Sequence, residues 1–429
     1  MKKNKKVIKN MLTFLTVFIF MFINSTYVLA NSKNEKSKEE LQLNSRIALI
    51  YDRSSGRIIF EKNGNKQTPM ASTTKIMTAI VVLENTNLKN IVTVDSKSAS
   101  IGGSRLGLKR NDKVTVNDLL YGLMLRSGND AASALAIYIG GSIQNFAEMM
   151  NNKAKELGLK NTHFVVPHGL DNKDHYTTAY ELAKITDYAL KNETFKKIVS
   201  TSSTSINING VPSQITNTNK LLNNVSGVYG VKTGFTNGAG RCLVTACKKN
   251  KMDIITVIIG ADTSKIRTED TKKLINYVED EFELIDIKQI IEEEFEKWKK
   301  INACRIHVEK GVQNSAELLL QQLNFEKMIV KKENVNNIDI TTNILYYLKS
   351  PIKEKQVIGT LNVLINNQNI ANLEIYNKYE IRKKGIKDYL FDFMIIFQNM
   401  EIVWQWNYFY IIYTYKLIYM YNKTNNKIK

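Results

Sequence analysis

The sequence contains little cysteine and little histidine. Of its 429 residues, 3 are cysteines and 4 are histidines. Cys242 and Cys247 are expected on one strand, where five residues at about 3.3 Å each hold their backbones too far apart for a disulfide bond. The histidines, at positions 163, 168, 175 and 307, have a spacing that matches no zinc motif. We therefore predict no disulfide through that strand, no metal site and no cofactor, and we expect Cys242 to be a buried strand residue rather than a reactive thiol.

No arginine-rich or aromatic-interleaved basic patch accompanies the formal net charge of +19. Lysine is spread along the whole chain, as a lysine-biased composition would produce without any anionic partner. Nucleic acid is therefore not expected as a partner. The chain is 43% hydrophobic, which is ample for a large core. Since single cores rarely grow beyond about 250–300 residues, two domains are expected.

The apolar run near the N-terminus is shorter than the ~20 residues that a helix needs to span a membrane. It extends from Met11 to Ile23, follows five lysines within the first nine residues, and precedes the small-residue sequence Val28-Leu29-Ala30. A basic region, an apolar core and a cleavage site in this order are typical of a secretory signal peptide. We predict a signal peptide over residues 1–30, cleaved after Ala30, rather than an uncleaved anchor. A polar linker over residues 31–44 follows it.

The sequence does contain the pattern of an activated nucleophile. Ser72 and Lys75 are three residues apart at the predicted start of a helix, which puts them one turn apart on the same face. Serine needs a base to take its proton, and a lysine can be that base if burial or nearby cations lower its pKa. The same spacing recurs at Ser350 and Lys353, so the pair alone indicates little.

Two further motifs follow Ser72 in a fixed order. Ser127-Gly128-Asn129 is predicted to lie in a loop between two helices, and Lys232-Thr233-Gly234 on a strand that forms one wall of a cleft. Gly234 leaves that wall free of a side chain, so that a substrate backbone can lie against it. The ordered triplet is the signature of penicillin-binding proteins and serine β-lactamases.

On these motifs the chain resembles the low-molecular-mass penicillin-binding proteins, which are serine-type D-alanyl-D-alanine carboxypeptidases of peptidase family S11. The resemblance extends through residues 118–132 and 260–263 and covers roughly residues 45–400. It implies an α+β fold of the β-lactamase/DD-peptidase type, in which helices cover an antiparallel sheet and a small all-β domain follows. The order of predicted elements agrees with that fold. The implied partners are the peptidoglycan stem peptide and β-lactam antibiotics, which act as covalent inhibitors.

The resemblance also assigns roles to individual residues. It implies a catalytic set in which Ser72 attacks the bond between two D-alanines, Lys75 is the base and Ser127 relays the proton. It implies substrate-binding roles for a second set of residues, Asn129, Lys232, Thr233, Gly234, Phe235 and Arg267. Within that set the backbone N–H of Phe235, with that of Ser72, would hold the oxyanion, and Thr233 and Arg267 would grip the terminal carboxylate. The chain departs from the family at Val166, where an asparagine is usual.

The domain boundaries follow from composition, pattern and resemblance together. We predict a catalytic domain over residues 45–285, a linker over 286–301 and a small β-rich domain over 302–385.

Residues 386–429 are predicted to form an amphipathic, aromatic-rich tail with a helical apolar stripe that includes Phe393 and Phe397 and is blurred by Phe391 and Ile395. The Tyr- and Trp-rich part, residues 402–421, leaves three readings open: a spanning helix with an aromatic belt, an interfacial anchor, which we favour, or an extension with no role. In the family such a helix lies in the membrane surface, so the implied location is the outer face of the cytoplasmic membrane or the cell wall.

Three other functions share most of these residues. A β-lactamase of class A needs a glutamate to activate water, and the corresponding stretch, Val166–Leu170, contains none. Endopeptidase or transpeptidase activity uses the same catalytic set. A catalytically silent cell-wall-binding protein would not need the intact nucleophile, base and relay that the chain carries.

Overall fold

The computed structural model describes residues 41–425, without the side chains of residues 399, 401–404 and 418–425. The predicted signal peptide and residues 31–40 of the predicted linker lie outside the described residues.

The first domain contains ten strands and eight α-helices. In chain order they are β1 (Ile47–Asp52), β2 (Ile58–Lys62), a 3₁₀ turn (Ala71–Thr74), α1 (Lys75–Asn85), β3 (Ile91–Thr93), α2 (Ser96–Ser100), β4 (Lys113–Thr115), α3 (Val116–Leu125), α4 (Asn129–Gly140), α5 (Ile143–Glu156), α6 (Ala179–Leu190), α7 (Glu193–Ser200), β5 (Ser203–Ile208), β6 (Val211–Thr216), β7 (Val228–Thr236), β8 (Gly240–Lys249), β9 (Met252–Ala261), α8 (Ser264–Glu281) and β10 (Phe282–Ile285).

Five of these strands form the central sheet, in the order β2-β1-β9-β8-β7. Every neighbouring pair is antiparallel. Alternate residues of β9 enter different cores, because side chains of a strand point to opposite faces. Val257 lies in the core under the helices that precede β7, whereas Ile258 lies in the core under α8. The predicted α+β fold, with helices on both faces of an antiparallel sheet, is confirmed, and it leaves β7 at an open edge.

The local patterns that predict these elements are visible in the structure. The hairpin predicted from the β-type runs at 47–51 and 57–60 is β1 and β2. Thr115 caps α3 as its sequence position indicates, since its hydroxyl accepts a hydrogen bond from Asp118 N at 3.1 Å. Cys242 and Cys247 do share one strand, β8, and both are buried.

The stretch predicted as a linker, residues 286–301, forms helix α9 (Ile287–Asn302). Its apolar residues Ile287, Ile291 and Phe295 recur every four positions and are buried in the core of the second domain. The charged residues between them face outward, as expected of an amphipathic helix. The abundance of charge therefore obscures a helical repeat that is present in the sequence.

The second domain is built mainly of strands. After a 3₁₀ turn (Ala303–Arg305) they are β11 (His307–Glu309), β12 (Leu318–Leu320), β13 (Met328–Lys331), β14 (Ile338–Ile344), β15 (Tyr347–Lys349), β16 (Val357–Ile365) and β17 (Gln368–Asn377), with a 3₁₀ turn (Lys332–Asn334) after β13. Four of them form a sheet in the order β12-β17-β16-β14. This agrees with a small β-rich module after the first domain.

The two domains are joined by backbone and side-chain contacts. Strand β10 of the first domain pairs with β13 of the second. The buried carboxylate of Asp52, at the end of β1, accepts a hydrogen bond from Ile329 N at 3.0 Å. A cavity of about 260 Å³ lies at this junction, between β2 and the strands of the second domain. The second domain is thus attached at the edge of the sheet opposite β7.

The last described element is the helix α10 (Ile386–Asn425). Large apolar side chains are exposed on the predicted stripe, as at Phe393 and Phe397, and also off it, as at Phe391 and Ile395. Within residues 41–425, no helix combines the length and the apolar content needed to cross a membrane.

Candidate active site

Ser72 lies in a tight turn at the entrance to α1. The turn is a 3₁₀ helix, Ala71–Thr74, and the α-helix begins only at Lys75. Ala71 adopts a left-handed backbone conformation with φ of 49°, which costs a residue with a side chain free energy of about 1–3 kcal/mol. The predicted helix start is therefore correct in position, but the serine is presented by a strained 3₁₀ turn.

Lys75 is completely buried and makes three short contacts. Its Nζ lies 2.9 Å from Ser72 Oγ, 2.7 Å from Asn129 Oδ1 and 2.6 Å from the carbonyl oxygen of His168. The two carbonyl-type oxygens can only accept, so they take two N–H groups of Lys75. In the neutral amine the remaining position is the lone pair, and it points at the Ser72 hydroxyl. This geometry would allow the neutral amine to act as a base toward the Ser72 hydroxyl.

The environment of Lys75 favours the neutral amine. Burial lowers the Lys75 pKa well below that of an ordinary lysine, and the positive charge of Lys232 lowers it further, while the Asp130 carboxylate acts in the opposite direction. A buried ammonium is costly because it loses its hydration, so the group gives up its proton more readily. The condition that the sequence sets for lysine as a base is thus met by the structure.

The Ser127-Gly128-Asn129 motif lies at the junction of α3 and α4: Ser127 and Gly128 are in the predicted loop, and Asn129 is the first residue of α4. Ser127 is buried and has a left-handed backbone with φ of 60°. Asn129 Oδ1 accepts a hydrogen bond from Lys75 Nζ, and Asn129 Nδ2 donates one to Gly102 O at 2.7 Å. The amide carries a second Nδ2 proton that remains for a substrate carbonyl.

Lys232 and Gly234 bring strand β7 against the serine turn. The buried Lys232 ammonium donates to Thr233 O at 3.0 Å, and its pKa is lowered to about 7 by burial and by the charge of Arg267. A Cβ placed on Gly234 would lie 3.1 Å from Ser72 N. The absence of a side chain at Gly234 thus serves the approach of β7 to the nucleophile, a reason that the sequence alone does not reveal.

Two of the remaining predicted residues, Thr233 and Phe235, lie at the C-terminal end of β7, and the third, Arg267, lies on α8. The Thr233 hydroxyl is 2.7 Å from that of Thr218. Phe235 is 48% exposed, whereas Arg267, on α8, is only 8% exposed. The Arg267 pKa is lowered by burial and by the charge of Arg241. Ser72, Lys75 and Asn129 are in direct contact, and the β7 residues line the same cleft from the other side.

Sequence reasoning missed the role of the loop over residues 163–176. Its backbone holds the helix of the nucleophile, since His168 O accepts from Lys75 and Pro167 O accepts from Thr78 Oγ1 at 2.6 Å. These contacts use main-chain carbonyls, so the unusual Val166 does not disturb them. Asp171 continues the loop and accepts from Thr236 Oγ1 at 2.6 Å, which fixes the end of β7.

Two other carboxylates have structural roles. Asp130 accepts hydrogen bonds from the backbone N–H groups of Leu106, Gly107 and Leu108, all within 3.0 Å. Glu156 is exposed and pairs with Lys153. The adjacency of Asp130 to the Ser-Gly-Asn motif is the one sequence signal that could have indicated its place beside the site. Among residues 41–425, no group of three His, Cys, Asp or Glu side chains could hold a metal ion.

Comparison with known proteins gives matches along most of the chain. Residues 33–263 match the family described as D-alanyl-D-alanine carboxypeptidase, peptidase S11, and residues 302–383 match the C-terminal domain of penicillin-binding protein 5. The chain is 30% identical over 388 residues to the D-alanyl-D-alanine carboxypeptidase DacF of Bacillus subtilis, and this alignment covers 89% of the chain and 97% of that relative.

Solved structures agree with the sequence matches. Penicillin-binding protein 5 from Haemophilus influenzae matches with a TM-score of 0.66 and 28% identity, over 80% of this chain and 98% of its own. The Streptomyces K15 DD-transpeptidase matches with a TM-score of 0.53 and 35% identity, over 55% of this chain and 97% of its own. The first of these spans both domains, and the second corresponds in length to the first domain.

Proposed function

Because the chain belongs to peptidase family S11, the D-alanyl-D-alanine carboxypeptidases, we propose that it removes the terminal D-alanine from peptidoglycan stem pentapeptides through an acyl-enzyme on Ser72. Removing that residue limits cross-linking, because a pentapeptide donor is converted into a tetrapeptide. The observation that carries the proposed chemistry is the 2.9 Å contact between Nζ of the fully buried Lys75 and Oγ of the partly buried Ser72.

In the first step Ser72 Oγ attacks the carbonyl carbon between the two D-alanines. The Ser72 proton passes to the neutral Lys75 amine, which is aligned with it while its other two N–H groups are held by Asn129 and His168. The negative charge that develops on the carbonyl oxygen is taken by the backbone N–H groups of Ser72 and Phe235. Each such donor stabilises the transition state by about 3 kcal/mol.

In the second step the tetrahedral intermediate collapses and the C–N bond breaks. The leaving amine of D-alanine takes a proton that Ser127 relays from the Lys75 ammonium, which restores the neutral base. Lys232 adds positive potential beside that relay, consistent with its effect on the Lys75 pKa. Water then enters the position of the departed amine, gives one proton to Lys75 and attacks the acyl carbon. The bond from that carbon to Ser72 Oγ breaks, the Lys75 ammonium returns the proton to Ser72 Oγ, and the tetrapeptide leaves with its new carboxylate.

Substrate binding uses the open edge of the sheet. Among the described strands, β7 pairs with β8 alone, so an extended peptide can add to its free edge by main-chain hydrogen bonds. Asn129 would orient the scissile amide from the opposite wall. Thr233, near the end of β7, and Arg267, on α8, would bind the terminal carboxylate and so place the scissile bond over Ser72.

β-Lactam antibiotics would acylate Ser72 by the same first steps, but the acyl-enzyme would be hydrolysed only slowly. Their ring amide acylates Ser72, and the amine that leaves stays attached to the adduct. Hydrolysis would then need a further activated water. Asp130, the carboxylate that adjoins the Ser-Gly-Asn motif, is occupied by three backbone N–H groups, and residues 166–170 contain no glutamate. A long-lived penicilloyl enzyme, rather than β-lactamase activity, is the outcome these residues support.

Export and membrane association form part of the same proposal. The substrate lies outside the cytoplasm, and the pattern of residues 1–30 is that of a signal peptide. The exposed apolar side chains of α10 offer a surface that would bind the membrane interface. The enzyme would then act at the outer face of the cytoplasmic membrane.

The test is the release of D-alanine from a diacetyl-L-Lys-D-Ala-D-Ala peptide by the purified chain without residues 1–30. The Ser72→Ala variant, whose fold is checked by circular dichroism, serves as the control. Release that requires Ser72 supports the proposal. A folded protein that releases no D-alanine from this peptide or from a muropeptide would contradict it and favour a silent wall-binding protein.

A further inference from the structure

The C-terminal end of β7 carries more positive charge than the proposed mechanism uses. Arg241, on β8, lies directly opposite Phe235 of β7. Its guanidinium carbon is 3.8 Å from the centroid of the Phe235 ring. This is a close cation–π contact, and it fixes the arginine above an aromatic side chain that is itself half exposed at the mouth of the cleft.

Neither arginine at this end of the cleft has an acidic partner within residues 41–425. Among the described residues, Arg241 and Arg267 form no ion pair, and in each of them the Nε–H is buried without a hydrogen-bond acceptor. The atoms concerned are Arg241 Nε and Arg267 Nε. Buried charged donors are normally paired, because leaving them unpaired costs several times what a neutral group would cost. Two such groups side by side indicate that an anion completes the site.

The two arginines lie on the same side of the sheet as Thr233, which is proposed to bind the substrate carboxylate. In an antiparallel pair, residues opposite each other share a face, and so do residues two apart along a strand. Arg241, Phe235 and Thr233 therefore lie on one face, and α8, which carries Arg267, packs on that face. The charges of the two arginines are close enough for Arg241 to lower the Arg267 pKa.

We propose that Arg241 is a further specificity-determining residue, which binds the free C-terminal carboxylate of the substrate together with Arg267 and is held in place by its stack on Phe235. This rests on the proposed carboxypeptidase function and extends it. A planar guanidinium can bind one carboxylate oxygen while the second arginine binds the other. The stack orients Arg241 before the substrate arrives, so less conformational entropy is lost on binding.

The test compares two substrates that differ only in this carboxylate. Diacetyl-L-Lys-D-Ala-D-Ala and its C-terminal amide are given to the full chain and to the Arg241→Gln variant, and kcat/KM is measured for each. One charged hydrogen bond corresponds to a factor of about 10–100. We expect Arg241→Gln to lower kcat/KM for the free acid by about that factor and to change kcat/KM for the amide by less than about threefold. Acylation rates with benzylpenicillin and its methyl ester provide the same comparison where the amide reacts too slowly.

Two matched variants separate this role from a general loss of charge or fold. Arg305→Gln removes one exposed arginine from the second domain and should leave kcat/KM for both substrates unchanged. Phe235→Leu keeps the main-chain N–H but removes the aromatic face. It should therefore lower kcat/KM for the free acid by about threefold to tenfold and leave kcat/KM for the amide nearly unchanged. In the variant that combines Arg241→Gln and Phe235→Leu, the fold-loss in kcat/KM for the free acid should be smaller than the product of the two single fold-losses, because both substitutions act on one interaction.

Equal losses on the acid and the amide would show that Arg241 is structural and would overturn the inference, as would no loss on either. Strictly multiplicative effects of Arg241→Gln and Phe235→Leu would overturn the role of the stack. Failure of the proposed function itself is distinguishable, because the wild-type chain would then release no D-alanine from the free acid.

Discussion

Lys75 illustrates how far a single residue can be understood from its contacts. Spacing predicts that it faces Ser72, and burial could be guessed from the apolar residues around it in α1. The decisive feature is the pair of carbonyl acceptors, Asn129 Oδ1 and His168 O, which direct the third position of the amine at Ser72. Those acceptors come from segments 54 and 93 residues away, and no local pattern could place them there.

At this scale the account predicts that a permanent cation cannot replace Lys75. Lys75→Arg keeps a nitrogen donor but puts a permanent positive charge in place of the neutral amine, because a guanidinium does not give up its proton in the accessible pH range. We expect the second-order rate constant for acylation by benzylpenicillin to fall by about 10²–10⁴-fold, the usual contribution of a general base. Stopped-flow acylation measures it, with the thermal unfolding midpoint as the check that the variant folds. Near-normal acylation by a folded Lys75→Arg protein would exclude Lys75 as the base.

At the scale of elements, the site depends on how the loop over residues 163–176 docks on the serine turn. Gly169 has φ of 85°, and a Cβ on it would lie 1.9 Å from Ala71 O. The backbone of Gly169 therefore packs directly against the backbone of Ala71, the residue before Ser72, and leaves no room for a side chain. The sequence predicts the strands, the helices and the position of each motif, because these follow from local periodicity. It does not predict this docking, because the docking depends on tertiary contacts between distant segments. It does not predict helix α9 either, because abundant charged residues obscure its apolar repeat.

Gly169→Ala should therefore be far more harmful than a comparable glycine substitution. Gly141, at the end of α4, has a similar φ of 71° but nothing within 4 Å of an added Cβ. Gly141→Ala should cost about 1 kcal/mol of unfolding free energy from backbone strain alone. Gly169→Ala should cost at least about 2 kcal/mol more and should also slow acylation, because the turn must move. Denaturant unfolding of both variants measures the difference, and equal costs would show that the loop is not tightly docked.

The same loop should make the protein sensitive to acid. Burial lowers the pKa of His168 to about 3 and that of His175 to about 4, and the charges of Lys75 and His163, respectively, act in the same direction. Each ring accepts a backbone N–H at Nδ1, from Leu170 and Val165, so a proton there would face another donor. The unfolded chain takes up protons near pH 6.5 and the folded chain does not. Stability contributed by the neutral rings is present above pH 6.5 and is lost as the pH falls towards about 3.

The measurement is the free energy of unfolding between pH 7 and pH 4 for the wild type and for the His168→Gln/His175→Gln variant. Each histidine can contribute a slope of at most about 1.4 kcal/mol per pH unit in this window. The variant should lose stability less steeply than the wild type, since the carboxylate contribution is common to both. Identical slopes would mean that the two rings titrate normally in the folded protein.

At the scale of the whole molecule, the cleft and the second domain lie at opposite edges of the central sheet. β7 is open for the substrate, and the far edge, β2 and β1, carries the second domain through β13 and the Asp52 contact. The chain continues from that domain into α10. This arrangement agrees with a module that spaces the catalytic domain from a surface, a role proposed here from the resemblance and from the exposed apolar residues of the last helix.

Removing residues 386–429 should separate attachment from catalysis. We expect the shortened protein to remain in the supernatant when liposomes of an anionic lipid mixture are pelleted, whereas the longer chain sediments with them. The rate constant for acylation of Ser72 should be unchanged within about twofold, because α10 contributes no residue to the cleft as described. Continued sedimentation of the shortened protein would rule out the helix as the membrane-binding element.

The mass of a covalent adduct shows whether Ser72 forms the acyl-enzyme on which the proposed chemistry depends. The chain without residues 1–30 is incubated with benzylpenicillin, and the intact mass and the proteolytic peptides are measured, with Ser72→Ala beside it. The account predicts a single, slowly hydrolysed penicilloyl group on the peptide that contains Ser72, and none on the variant. An adduct on another residue, or rapid turnover of the penicillin without a lasting adduct, would contradict it.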